Sequence, residues 1–360
     1  MFSRLFSGSF PTNKILMVVL IIIALGLLLN PWIFGGSRAL LTGSRICIFI
    51  ILVASYDMLI GYTGIVSFAH TLFFGIGAYA VAMCLTYLGA SWSAILLGAG
   101  LGILVSAGFA LLIGFVSLRV RTIFFAMITL AVASAFTTLV SQMYTITGGE
   151  DGLIFKIPRE LTPAFKLVDE KIFGVRINGK LLNYYLMLSM CAVLFLLMLR
   201  IVHSPFGRVL QAIRENEFRA EAIGYRTVFY RTAATCLSAG FAAMAGVMMA
   251  ISNRYVGPET TLSLTIMIDV LLMVVIGGMG SLYGAIVGTT LFILAQFYLQ
   301  ELMKVIANAT ERLPIIPNLF EPDRWLLWLG VIFILSVYFF PKGVVGRLKN
   351  KTVAPQEARA

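Results

Sequence analysis

The sequence predicts an all-α fold: a polytopic helical membrane protein with about ten membrane segments, at least one of them broken, and a short cytoplasmic helix between two spans. Three observations carry this. Hydrophobic residues make up 60% of the 360 positions and charged residues 12%, against roughly 25% charged in soluble domains, and the mean hydropathy is +0.96. Apolar runs recur at the length a helix needs, about 20 residues, to cross roughly 30 Å of hydrocarbon. The alternating segments of a membrane β-barrel are absent, so helices must satisfy the backbone in lipid.

In order, the runs are 15–34, 39–60, 71–88, 92–117, 122–144, 183–202, 228–251, 263–280, 283–303 and 325–341. The first resembles a leader, but "NPWIFGG" follows Ile15 to Leu29 where a small-residue cleavage site would stand, so it reads as a retained span. The second carries Asp57 and runs into "GYTGIVSFAHTLFFGIGAYA", Gly61 to Ala80. Gly61, Gly64, Gly75 and Gly77 weaken a helix there, and Thr63, Ser67 and His70 add polar side chains that bond freed backbone or a substrate. Non-helical backbone at membrane depth survives only against protein or a water-filled cavity. Gly98 and Gly102 form a G-x-x-x-G in the fourth run, and Gly280, Gly284 and Gly288 repeat that spacing later. Such residues are expected to pack helices closely. The Gly-rich stretches 61–77 and 277–288 fall in opposite halves of the chain, as interrupted segments do around transporter binding regions.

Charge sets the orientation. Arg4 and Lys14, Arg119 and Arg121, five arginines in 203–231, and Lys342, Arg347, Lys349, Lys351 and Arg359 all fall on one side of an even count of spans. That side is cytoplasmic by the positive-inside rule, with both termini there. The segment 145–182 falls outside; its six basic and five acidic residues nearly balance, and "GGEDG" and "RINGK" read as turns. Residues 1–350 form one transmembrane domain and 351–360 a cytoplasmic tail. The net charge of +11 sits in these connecting segments, with no basic-aromatic face for nucleic acid. Cys47, Cys84, Cys191 and Cys236 are far apart and have no metal-ligand spacing.

The cytoplasmic loop 204–225 lies within "HSPFGRVLQAIRENEFRAEAIGYRTVFYR", His203 to Arg231. Asn216 suits an N-cap, Glu217 the first turn of a helix, and Gly224 a left-handed end. A solvated connection is one reading. A docking helix is the other, because an apolar stripe flanked by charges of both signs suits a protein groove better than anionic lipid.

"GRVLQAIRENEFRAEAIG" resembles the cytoplasmic coupling loop of importer permeases driven by ATP-binding-cassette subunits, closest to the branched-chain amino-acid permease family, LivM type. Gly207, Arg208, Ala212, Ile213, Arg214, Asn216, Glu217, Ala220 and Gly224 occupy the matching places. "GYTGIVSFAHTLFFGIGAYA", "SAGFAAMAGVMMA" and "VIGGMGSLYGAIVG" are similar to further stretches of that family, so the likeness runs from about Asp57 to Gly288. It implies that Arg214, Glu215, Asn216, Glu217, Phe218, Ala220 and Gly224 couple to an ATPase. It implies a second related permease (a heterodimer), two ATP-binding subunits that hold ATP and Mg, a periplasmic substrate-binding protein, and a bacterial inner-membrane location. Substrates in the family are chiefly leucine, isoleucine and valine, with other hydrophobic amino acids in some members and urea in a sister branch.

Asp57 and Asp269 stand inside apolar runs, where a charge costs about 2.5–3.5 kcal/mol on insertion scales. With Gly61, Gly64, Ser67 and His70 they are candidate translocation-path residues, or else structural hydrogen-bonding groups. Neither acid pairs in this reading with a basic residue at membrane depth. A secondary transporter would show several such paired groups. No phosphate-binding G-x-x-x-x-G-K-[ST] loop, H-E-x-x-H or G-x-S-x-G occurs. The chain is therefore expected to hold no cofactor or metal and to catalyse nothing itself, with energy supplied by partner subunits.

Overall fold

A computed structural model describes residues 13–34, 36–117, 122–172, 175–309, 321, 324–339 and 343–350. Arg4, Arg119, Arg121, Lys342, Lys351, Arg359 and the tail 351–360 lie outside them. Among the described residues, nine helices are long and apolar enough to cross a membrane. The tenth expected run forms a shorter helix, Trp325–Phe339.

The chain enters through α1 (Lys14–Ile33), whose first turn is capped by Asn13 Oδ1 accepting from the Ile15 amide at 3.0 Å. Then come α2 (Ser37–Ile60), α3 (His70–Leu88), α4 (Trp92–Ser117) and α5 (Thr122–Gln142). The segment expected outside holds the one-turn α6 (Tyr144–Thr147), β1 (Leu153–Ile154), and a hairpin of β2 (Lys166–Ile172) and β3 (Val175–Asn178). "GGEDG" is a turn, with Gly148, Gly149 and Gly152 all at positive φ. "RINGK" is not: it ends β3 and opens α7 (Gly179–Val202), because its backbone pairs with β2 before the helix begins.

The segment expected on the cytoplasmic side folds as α8 (Pro205–Glu215) and α9 (Glu217–Ala222). The long α10 (Thr227–Asn253) follows, then β4 (Tyr255–Val256) antiparallel to β1, α11 (Pro258–Thr261), α12 (Leu264–Gly277), α13 (Leu282–Ala309), α14 (Trp325–Phe339) and α15 (Gly343–Asn350).

The core is built from α2, α3, α4 and α10, which pack on one another more extensively than any other set. Of the most apolar window of each helix, 78% is buried in α10 and 11% in α1, so α1 is peripheral. Its exposed Ile15, Val18, Ile21, Ile22 and Leu25 carry no penalty against lipid tails as apolar as themselves.

Gly75 and Gly77 do not break a helix. Both lie inside α3, where lost side-chain bulk permits contact: a Cβ on Gly77 would overlap the Ala243 carbonyl of α10, and one on Gly246 the Phe74 carbonyl of α3. Gly98 and Gly102 serve α4 likewise, with built Cβ atoms 2.7 Å from Val81 Cα and 3.1 Å from Gly77 Cα. In lipid, where apolar burial gives helices little reason to associate, this proximity is the main source of attraction.

Candidate functional site

Two stretches of non-helical backbone meet at one end of the bundle. The first runs from Gly61 to Ala69, between α2 and α3. Its polar groups are satisfied locally: Thr63 Oγ1 donates to the Leu59 carbonyl at 2.7 Å, the Phe68 amide donates to Thr129 Oγ1 at 3.0 Å, and Ser67 Oγ accepts from the Ala69 amide at 3.3 Å. Gly64 turns the chain at φ +73°. The second stretch, 278–281, joins α12 to α13, with Gly278 and Gly280 at φ +110° and +82°. Gly280 therefore sits in a break and not in a helix-packing series; only Gly284 and Gly288 of that spacing lie in α13, pressed against the Gly277 and Met273 carbonyls of α12.

Asp57 ties the two breaks together. It is 1% exposed, and its Oδ1 accepts from the Gly280 amide at 2.8 Å. Gly61 lies between them: a Cβ there would overlap Asp57 Oδ1 and the Gly280 nitrogen. Arg214, at the end of α8, reaches into the same junction. Its Nη1 donates to the Gly61 carbonyl, and its Cγ lies 3.3 Å from a Cβ built on Gly64. Four residues singled out along 220 positions of sequence thus form one cluster with Gly64. At the start of α15, Gly343 closes it from the other side, against the backbone of Gly277 and Gly278.

The remaining residues expected to couple divide by direction. Asn216 Oδ1 caps α9 by accepting from the Arg219 amide at 3.0 Å, and Gly224 ends it at φ +97°. Glu217 pairs with Arg231 of α10 at 2.6 Å, Glu221 accepts from Thr227 Oγ1 at 2.7 Å, and Ala220 is buried. Those groups hold the segment to the bundle. Glu215 is exposed, and Phe218 and Ile223 are 85% and 74% exposed. Both apolar side chains stand outward from the braced segment.

The other path candidates separate. Ser67 and His70 are each 1% exposed. His70 Nε2 lies 2.8 Å from Ser55 Oγ, and its ring stands edge-on to Tyr56 and Phe73 at centroid distances of 5.2 and 6.3 Å. It braces α3 against α2.

Asp269 is elsewhere. It lines an open cavity of about 620 Å³ between α2, α10, α12 and α13. Arg45 lines the same cavity and interacts electrostatically with Asp269, although no ion pair joins them. Among the described residues Asp269 thus forms no ion pair, but a basic residue that the sequence reading did not place, Arg45, shares its cavity. Arg45 was overlooked, and a basic residue inside the run 39–60 is the signal that marks it. It is 12 residues before Asp57 on α2, roughly 18 Å at 1.5 Å per residue, so cavity and junction lie toward opposite ends of one helix.

Comparison with known proteins agrees with this organisation. The family described as branched-chain amino acid transport system / permease component matches residues 38–337. The high-affinity branched-chain amino acid transport system permease protein LivM of Salmonella typhimurium is 28% identical over 352 residues, covering 94% of this chain and 76% of that protein. LivM of Escherichia coli is 27% identical over 371 residues, covering 98% and 80%. A probable branched-chain amino acid transport permease protein LivM of Methanocaldococcus jannaschii is 26% identical over 163 residues, 45% of each chain. No solved structure matches the chain significantly. With five-sixths of its length inside the family match, and a multi-pass helical bundle carrying both interrupted segments, this chain belongs to the branched-chain amino acid transport system permease family.

Proposed function

We propose that this chain is the membrane path of an ATP-driven importer for branched-chain amino acids in a bacterial inner membrane. It works beside a second, related permease. Two ATPase subunits bind ATP and Mg on the cytoplasmic side, and a periplasmic receptor delivers substrate to the opposite face. Both termini and α8–α9 are cytoplasmic in this reading, as the basic residues of 203–231 favour.

The observation that carries the proposal is the Arg214 contact. Phe218 and Ile223 face outward for a partner, while Arg214, on the same braced segment, bonds directly to the break at Gly61. A push on α9 passes through Arg214 to Gly61, and through Asp57 and Gly280 to the second break. Non-helical backbone between rigid helices absorbs φ/ψ change where a helix cannot. ATP-driven closure of the partners is in this way converted into helix movement, with no chemistry performed by this chain.

The test is reconstitution of the complete transporter in proteoliposomes with its receptor. Leucine, isoleucine or valine uptake that requires ATP, together with a crosslink from cysteine at Phe218 to an ATPase subunit, is the expected result. Uptake of urea alone would overturn the substrate class. Uptake driven by an ion gradient without ATPase subunits would overturn the mechanism.

A further inference from the structure

The cavity that holds Arg45 and Asp269 has the chemistry of a zwitterion site. Arg45 lies half-buried with its guanidinium over the rings of Phe49 and Phe297, 5.6 and 5.7 Å from their centroids. Its Nε is buried and has no hydrogen-bond partner. A guanidinium stacked between two aromatic faces is held in place without losing its donors. Asp269 is also half-buried, on α12, and none of the described hydrogen bonds or ion pairs engages it. Arg45 and Asp269 therefore face one space without an ion pair between them; Arg38, paired with Glu301, and Glu259 also line it. In a medium of low dielectric, charges so placed normally close on each other or on a third group. The lining includes apolar side chains, with Ile48 on α2 and Ile266 on α12 joining Phe49 and Phe297.

We propose that this cavity is the permease's own substrate site, in which Arg45 takes the α-carboxylate of an apolar amino acid and Asp269 its α-ammonium. A free α-amino acid carries its ammonium and its carboxylate on a single carbon, and places its side chain to one side. Ile48, Phe49, Ile266 and Phe297 receive a branched aliphatic side chain there. A volume of about 620 Å³ is at the size of small-molecule pockets, about 300–1,000 Å³, and leaves room for water beside a leucine. The charge arrangement selects against neutral urea, which offers neither ion. This inference rests on the reading of the chain as an amino-acid permease.

The test uses the complete transporter in proteoliposomes at saturating receptor, and reads leucine transported per ATP hydrolysed. In R45Q and D269N complexes that co-purify intact, this ratio is expected to fall at least fivefold, because the partners still cycle while substrate is poorly held. The variants R45K and D269E, which keep the charges, are expected to recover part of it. D269N is nearly isosteric, so it decides the matter should R45Q not assemble. An assembled D269N complex with an unchanged ratio would overturn the site. Failure of the wild-type complex to move any branched-chain amino acid would instead overturn the reading of the substrate class, whatever the variants do.

Discussion

The Asp57 carboxylate accepts a hydrogen bond from the Gly280 amide at 2.8 Å, across 223 positions of sequence. This contact joins the break after α2 to the break before α13. It also makes both conformations interdependent, since Gly280 offers its amide only at a φ that other residues rarely adopt.

Removing either partner should loosen the pair. D57A leaves a half-buried amide without its acceptor, at up to about 1–3 kcal/mol. G280A imposes a left-handed φ on a residue with a Cβ, at about 1–2 kcal/mol. The expected outcome is a lower thermal unfolding midpoint in detergent for both, with D57N losing less than D57A because the amide oxygen remains. Equal midpoints for D57A and wild type would mean that the contact contributes nothing.

Arg214 contributes both a guanidinium on the Gly61 carbonyl and a stem against Gly64. A lysine supplies the stem but only a flexible point charge. Uptake is expected to drop at least tenfold in R214A and by an intermediate amount in R214K, with the ATPase subunits still attached in pull-downs. Normal uptake by attached R214A complexes would remove Arg214 from the coupling route.

Phe218 touches little within this chain, being 85% exposed. F218A should therefore leave the unfolding midpoint unchanged while weakening ATPase attachment by roughly tenfold, as truncation of an aromatic interface anchor does. Titration of purified permease with labelled ATPase subunit measures it. A shifted midpoint with unaltered attachment would reverse the assignment.

His70 packs between Ser55, Tyr56 and Phe73 with 1% of its surface exposed. H70A opens a void in that packing, a loss on the order of 2 kcal/mol or more. The cost should appear in the unfolding midpoint, and transport per intact complex should stay within about twofold of wild type, since the ring does not line the cavity. Large loss of transport at an unchanged midpoint would restore His70 to the path.

A matched pair of glycines tests the packing account. A Cβ on Gly246 would overlap the Phe74 carbonyl, whereas one on Gly100 meets nothing within 4 Å. G246A is expected to lose about 1–3 kcal/mol through overpacking, and G100A to be neutral or slightly stabilising. Midpoints in the reverse order would show that backbone proximity between α3 and α10 is not what holds them.

Much of this protein was legible one window at a time. Hydropathy over about 20 residues locates spans because the lipid thickness sets that length. The break at Gly61, the Asn216 cap and the Gly224 turn follow from local backbone chemistry. The inward faces were not legible. Helices bathed in lipid are apolar on every side, so the stripe that marks the buried face of a soluble helix is missing. Gly75 and Gly77 accordingly read locally as helix breakers, whereas in the fold Leu262 packs on the first and α10 on the second. Arg45, Asp269 and the gap between them, and the convergence of Asp57, Gly61, Arg214 and Gly280, exist only once distant segments are packed. Pairing across more than 150 positions is a property of the folded chain, and no local window contains both partners.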